Sequence, residues 1–249
     1  MINGSPQTAL PRVAMILAAG RGTRLGAASD LLPKPLVPVA GRPLIDYALD
    51  MLSAAGVRRF VVNTHHLADR IERHLAGKRG LDIAISREAA LLNTGGGVKN
   101  ALPLLAEPVF LVVNADLVWD PDAGRTLRRM AALWDAAAMD ALLLLFPTVR
   151  TFGYDGLGDF HCDPLGRVRR RREREVAPFL YTGVQILHRR AFEGTPDAPF
   201  PMRLIWDRAE EAGRLWGLVH DGEWLDAGTP ARLAHARAEL GDLAQGKLF

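Results

Sequence analysis

Short apolar runs recur along this chain, each too continuous to lie on a surface. They are VAMIL at Val13–Leu17, RFVVNT at Arg59–Thr64, VFLVV at Val109–Val113, ALLLLF at Ala141–Phe146 and FLYTGVQIL at Phe179–Leu187. A strand with one wet face alternates apolar and polar residues, whereas a strand covered on both faces does not. Helical patterns separate the runs. Pro43–Ala55 carries an apolar stripe of Leu44, Ile45, Ala48, Leu49 and Leu52, and Gly56 stops it. LADRIERHL, Gly124–Ala138, Met202–Ala212 and a closing segment from Ala231 read the same way. LDIAIS and LWGLVH add strands, and the pattern loosens from Pro147 to Pro178. This alternation predicts one α/β domain over residues 13–249, behind a flexible leader at 1–12, with a mainly parallel, doubly wound sheet and helices on both faces. Ligands of such sheets bind beyond the carboxyl ends of the strands.

Composition removes several alternatives. No apolar run approaches the roughly 18 residues of a membrane span, and MINGSPQTALPR lacks the charged and apolar regions of a signal peptide. A single cysteine, Cys162, excludes an internal disulfide and fits a reducing cytoplasm. The net charge of +3 over 249 residues suits a small anionic ligand and is too weak to argue for nucleic acid. The densest charge run, Arg169–Arg172 with Arg167 and Arg174 nearby, interleaves Glu173 and Glu175 but no aromatic residues. It reads as a solvated face rather than a base-stacking surface.

The first strand opens into LAAGRGTRL, then LLPKPLVPVAGRPLI. Glycines let backbone N–H groups approach phosphate oxygens, and arginines add forked donors. Gly20 and Gly22 meet neither the Walker pattern nor the dinucleotide fingerprint, which has glycine where Leu25 stands. Glycines alone leave a plain tight turn open. Lys34, between Pro33 and Pro35, is expected in a restrained extended segment, where a presented ammonium suits phosphate. Asp116 follows the VFLVVN run and Asp226 sits in EWLDAGTP. Either alone is an ordinary strand end. Together, on one sheet edge, two carboxylates can share a Mg²⁺ ion with substrate phosphates. LLNTGGGVKNAL is expected as a Gly-rich turn opening a helix, either receiving a planar group or merely punctuating the chain. His65 and His66 lack the spacing of a metal pair.

In series, LAAGRGTRL…PKPLVPVAGRPLI, NTGGG, VNAD and WLDAGTP resemble the sugar-1-phosphate nucleotidyltransferases from Val13 to about Leu240. Within that family the chain is most similar to the N-acetylmuramate-1-phosphate uridylyltransferases, with mannose- and glucose-1-phosphate enzymes as the alternative. The resemblance implies a Rossmann-like mixed sheet of the nucleotide-diphospho-sugar transferase type. It implies a reaction of an NTP, here UTP, with a sugar 1-phosphate to give an NDP-sugar and pyrophosphate, in cell-wall sugar recycling. It also implies Mg²⁺ on Asp116 and Asp226, and a triphosphate held by Arg24 and Lys34. Ala18, Ala19, Gly20 and Gly22 would line the nucleotide, with Asn93, Thr94 and Gly95 near the base. Asn114, Gly158, Asp159, Thr182 and Gly183 would face the sugar. Partners are then small molecules, with no nucleic acid and no membrane, and the chain acts as a monomer or weak dimer.

Two stretches depart from the family. Gly26, Ala27, Ala28 and Ser29 replace an arginine- and proline-bearing stretch. A lysine that binds the sugar phosphate in larger relatives has no counterpart, so Arg150 or an arginine of the 167–174 run would have to stand in. Two readings compete with the enzyme: a non-catalytic nucleotide-sugar-binding module, and an NAD-dependent oxidoreductase, which Leu25 disfavours.

Overall fold

The computed structural model describes residues 10–25, 31–119 and 123–244. Residues 1–9 of the expected 1–12 leader and the Gly26–Ser29 departure lie outside the described residues. Of the rest of that leader, Leu10 packs against the core and the Arg12 carbonyl accepts the Arg58 N–H (2.8 Å) and Arg59 N–H (3.1 Å).

The apolar runs become strands. β1 (Val13–Leu17) sends Ala14 and Ile16 to one face and Val13 and Met15 to the other, all buried. After the glycine loop come two short paired strands, β2 (Pro38–Val39) and β3 (Arg42–Pro43). Helix α1 (Leu44–Ala55) follows, and Gly56 ends it with φ 106°, a left-handed conformation that costs glycine little. β4 (Arg59–Thr64), α2 (Ala68–Ala76), β5 (Asp82–Arg87), α3 (Asn93–Leu105) and β6 (Val109–Asn114) continue the alternation. β7 (Leu117–Trp119) is short, α4 spans Ala123–Leu133, and β8 (Ala141–Pro147) is buried along most of its length. β9 (Phe160–Cys162), β10 (Val168–Arg170) and β11 (Phe179–His188) follow. α5 (Arg203–Glu211), β12 (Leu215–Val219), β13 (Trp224–Asp226) and α6 (Pro230–Ala244) close the chain.

The main sheet runs β12–β8–β11–β6–β1–β4–β5, with β9 and β10 attached beside β11. β6, β1, β4 and β5 are parallel, as are β8 and β12, and β11 runs antiparallel between the two groups. α1, α2 and α4 cover one face of this mixed sheet, and α3 and α5 the other. The carboxyl ends of β1, β4 and β6, side by side, put Leu17, Asn63 and Asn114 at one edge.

Several local expectations change. Lys34 is not in an extended segment: Lys34–Leu36 form one 3₁₀ turn, with the Leu36 N–H bonded to the Pro33 carbonyl. Pro35 lies in the first turn, where no N–H is needed and its φ is pre-set. The NTGGG stretch is not a turn before a helix; it is the start of α3 itself. Asp226 does not end a strand of the main sheet. It ends β13, which pairs only with β7 in a separate ladder. α4 stops five residues before Ala138, and the Asp135 carboxylate accepts the Ala137 N–H (2.8 Å) in the turn that follows.

The segment that lacked periodicity carries β9 and β10, and two of its arginines are held by carboxylates. Arg169 grips Glu175 with both terminal nitrogens (2.8 and 2.7 Å), and Arg170 Nε donates to Asp207 (2.7 Å). The fork of Arg169, joined by the Arg172 N–H, holds the Glu175 carboxyl down from 4.5 to about 2. Because the folded value is depressed, this contribution is present above the ordinary carboxylate range and lost as pH falls towards 2. An NMR titration of the Glu175 side-chain carboxyl is expected to show a midpoint of about 2 in the native protein. In Arg169→Ser the midpoint should return towards the ordinary range; an unchanged midpoint would contradict the assignment.

Candidate active site

A cleft of about 500 Å³ opens over the carboxyl ends of β1, β4 and β6. Ala18, Ala19, Gly20 and Gly22 form one wall, Asn93 and Thr94 at the start of α3 form another, and Arg24 and Lys34 stand at its rim with Asn114 and Asp116. A smaller cavity of about 180 Å³ adjoins it, and Arg24, Asn114 and Asp116 line both. Asp159, Thr182, Asp226, Tyr154 and Arg232 belong to the smaller one.

The glycine loop is held from below. The Ala18 N–H donates to Asn63 Oδ1 (2.8 Å), and Asn63 Nδ2 donates to Glu88 Oε1 (2.7 Å). The second Glu88 oxygen accepts the Leu92 N–H (2.9 Å), just before α3. Asn63 and Glu88 are both buried, so their hydrogen bonds are costly to leave unmade. Gly97 makes this possible: a Cβ there would lie 2.7 Å from Glu88 Oε1 and 2.9 Å from Asn63 Nδ2. One glycine of the triplet thus makes room for the Asn63–Glu88 pair, which itself lines the cleft. Gly95 lies beneath Phe200, outside the cavity lining, and its N–H donates to the Phe200 carbonyl (3.0 Å).

The sugar-side expectations divide similarly. Gly183, with φ 92°, sits at the irregularity in the β8–β11 pairing, and a Cβ there would press on the Asn114 amide at 2.8 Å. It makes room for Asn114 instead of lining a cavity. Gly158 also lies outside the lining, its N–H held by the Tyr154 hydroxyl (2.8 Å). Thr182 and Asp159 do line the smaller cavity. Arg150 bonds Glu223 and the Gly222 carbonyl, and neither it nor Arg167–Arg174 lines either cavity.

The ladder between β7 and β13 brings the two carboxylates together. Asp226 pairs with Leu117, and the Ala227 N–H donates to the Asp116 carbonyl (3.1 Å). The Asp116 side chain meets the Lys34 ammonium. Asp226 accepts the Gly228 N–H (2.6 Å) and Arg232 Nη1 (2.6 Å). Among the described residues, no cluster of three or more His, Cys, Asp or Glu side chains could hold an ion unaided. Two carboxylates on one small cavity nonetheless match the donor set of a hard divalent cation that takes its remaining oxygens from phosphates and water.

Asn63, Glu88, Tyr154 and Arg232 were not anticipated. Asn63 carried the same signal as Asp116, a polar residue near the carboxyl end of an apolar strand. Arg232 carried none, being one arginine at the start of a helical pattern.

A glycine loop, two cations and two carboxylates line two adjoining cavities, the larger of them over the carboxyl ends of parallel strands, where ligands of open α/β sheets bind. The family model of the MobA-like NTP transferase domain matches residues 14–150, and the chain belongs to that family. It is 40% identical over 237 residues to the N-acetylmuramate alpha-1-phosphate uridylyltransferase of Caulobacter vibrioides, covering 93% of this chain and 98% of that protein. It is 36% identical over 232 residues to the enzyme of the same name from Neisseria meningitidis, covering 92% and 98%. The crystal structure of HddC from Yersinia pseudotuberculosis complexed with GMP-PN shares the fold, with a TM-score of 0.72 at 22% identity over 92% of this chain and 99% of that one.

Proposed function

We propose that this protein joins UTP to N-acetylmuramate 1-phosphate, releasing pyrophosphate and forming the UDP-sugar, as a cytoplasmic enzyme of cell-wall sugar recycling. The observation that carries the reading is the pair of adjoining cavities meeting at Arg24, Asn114 and Asp116. A two-substrate transfer needs two pockets that share the reacting centre. The 40% identity to a uridylyltransferase over almost the whole chain supports the choice of substrates.

In this mechanism the nucleotide lies in the larger cleft, its phosphates against the Ala18–Gly22 loop. Arg24 and Lys34 neutralise the triphosphate. The sugar phosphate occupies the smaller cavity beside Asp159 and Thr182, and Asn114 spans both substrates. An oxygen of the sugar phosphate attacks the α-phosphorus, and the bond from that phosphorus to the β-phosphate bridge breaks. The nucleophile is already an anion near neutral pH, so no side chain need remove a proton. The chain's contribution is positioning and charge neutralisation, with Arg24 and Lys34 taking up charge on the departing pyrophosphate. Asp116 and Asp226 would hold Mg²⁺, which when bound screens the phosphate charges.

The test is pyrophosphate release with UTP, CTP, GTP and dTTP against N-acetylmuramate, N-acetylglucosamine, glucose and mannose 1-phosphates. The highest kcat/KM is expected for UTP with N-acetylmuramate 1-phosphate. Equal or better efficiency with glucose or mannose 1-phosphate would reject the muramate assignment and leave the class standing. No turnover with any pair would favour a binding module.

A further inference from the structure

The smaller cavity contains three carboxylates, Asp116, Asp159 and Asp226, yet a sugar phosphate must enter it as an anion. Asp116 is matched by Lys34, and Asp159 accepts the Tyr181 N–H (3.0 Å). Two guanidinium groups line this cavity. Arg24 is shared with the nucleotide cleft, where the triphosphate claims it, whereas Arg232 lines only the smaller cavity.

Arg232 is fixed in place. It lies in the first turn of α6, its backbone N–H on Thr229 Oγ1 (3.3 Å), so the positive end of a 15-residue helix adds to its own charge. Its guanidinium carbon stands 5.7 Å from the centre of the Tyr154 ring, and its side chain is 19% exposed. Among the described residues the guanidinium makes one hydrogen bond, from Nη1 to Asp226. A guanidinium carries five N–H donors in a rigid fork, so it can hold Asp226 and still offer donors to a second oxyanion, which a lysine ammonium does with far less geometric control. Of the arginines that sequence put forward, Arg169 is spent on Glu175, Arg170 on Asp207 and Arg150 on Glu223, and none of the 167–174 run lines this cavity.

We propose that Arg232 is the acceptor-binding arginine of this site: one edge of its guanidinium holds Asp226 and the rest takes an oxyanion of the sugar substrate. The assignment rests on the nucleotidyltransferase reading for its choice of ligand. The oxyanion has two sources, the 1-phosphate common to all acceptors and the carboxylate of a lactyl-bearing sugar.

The experiment compares wild type, Arg232→Gln and Arg232→Lys on N-acetylmuramate 1-phosphate and N-acetylglucosamine 1-phosphate, which differ in the lactyl group. Steady-state constants are measured for each sugar and for UTP, and calorimetry measures each sugar phosphate binding to protein without nucleotide. Losing a charged hydrogen bond should weaken acceptor binding and raise acceptor KM roughly 10- to 100-fold in Arg232→Gln, with UTP KM nearly unchanged and Arg232→Lys intermediate. An equal loss on both sugars assigns the 1-phosphate; a loss confined to the muramate sugar assigns the carboxylate. Unchanged acceptor binding overturns the proposal. So does a joint rise of UTP and acceptor KM with weakened Mn²⁺ binding, which would make Arg232 only the support of Asp226. If wild type turns over no sugar but binds one through Arg232, the transferase reading falls and this assignment stands; neither turnover nor sugar phosphate binding by wild type overturns both.

Discussion

Asp116→Asn should lose about a thousandfold or more in kcat while the protein still folds. Asparagine keeps the shape of the side chain and removes its charge. Charge stabilisation by a bound cation supplies several kcal/mol in the transition state, and each 1.36 kcal/mol is about a factor of ten in rate. The backbone role of this residue survives, because the Asp116 carbonyl still accepts the Ala227 N–H and the β7–β13 ladder stays closed. The lost ion pair with Lys34 involves two side chains only 12% and 20% exposed, so a stability loss of about 1–3 kcal/mol is expected. UTP binding should be retained, since Lys34 loses its competitor for the phosphates. Single-turnover rates, Mg²⁺ titrations of activity and a thermal melt check the three parts separately. Turnover close to wild type with an unchanged Mg²⁺ dependence would remove Asp116 from the reaction.

The residues in that argument differ in how far the sequence exposed them. The parallel part of the sheet was legible because VAMIL, RFVVNT, VFLVV and ALLLLF are continuous apolar runs, as strands covered on both faces require. Its mixed character, with β11 antiparallel in the middle, was implied only by the family resemblance. Asp116 was legible because a charge directly after so apolar a run is conspicuous. The partnership of Asp116 with Asp226 was visible only as two similar contexts. It is made by a three-residue pairing of Trp224–Asp226 with Leu117–Trp119, and strands that short leave no periodicity.

The glycine triplet misled for a related reason. Gly95 and Gly97 are demanded by Phe200 and by the Glu88–Asn63 pair, neighbours that are distant in sequence, so local pattern reads them as a turn. Proline restrains the residue before it and so predicts an extended Lys34, but the 3₁₀ turn at Lys34–Leu36 accommodates Pro35 without losing a donor. The arginine run is still largely solvent-accessible, as its charge density suggests, but Arg170 also has partners in Asp207 and Glu210 that arrive from α5 and leave no local signal. The same long-range packing hid Arg232. Its significance comes from Asp226 and Tyr154 beside it, not from its neighbours in the chain.

Lys34→Ala carries the second large effect, and it should split nucleotide and metal binding in opposite directions. Lys34 lines the larger cleft, and its ammonium rests on Asp116. Removing one pre-placed donor from a site of developing charge costs about 10²- to 10³-fold in rate, so kcat/KM for UTP is expected to fall by about that much. A divalent cation approaching Asp116 in the wild type must instead displace Lys34. Without the lysine that competition disappears, and Mn²⁺ alone should bind the variant more tightly than wild type. On the proposed function, nucleotide and cation would be coupled in the wild type through the same residue. A triphosphate that draws Lys34 away would free Asp116, so each ligand would strengthen the other, as reciprocal linkage requires. The variant should show a smaller gain in Mn²⁺ affinity on adding a non-hydrolysable UTP analogue. Electron paramagnetic resonance of free Mn²⁺, with and without the analogue, measures both quantities without turnover. Equal Mn²⁺ affinity in the two nucleotide-free proteins would mean that the Lys34–Asp116 contact does not oppose the cation. The loss of kcat/KM would then reflect the phosphates alone.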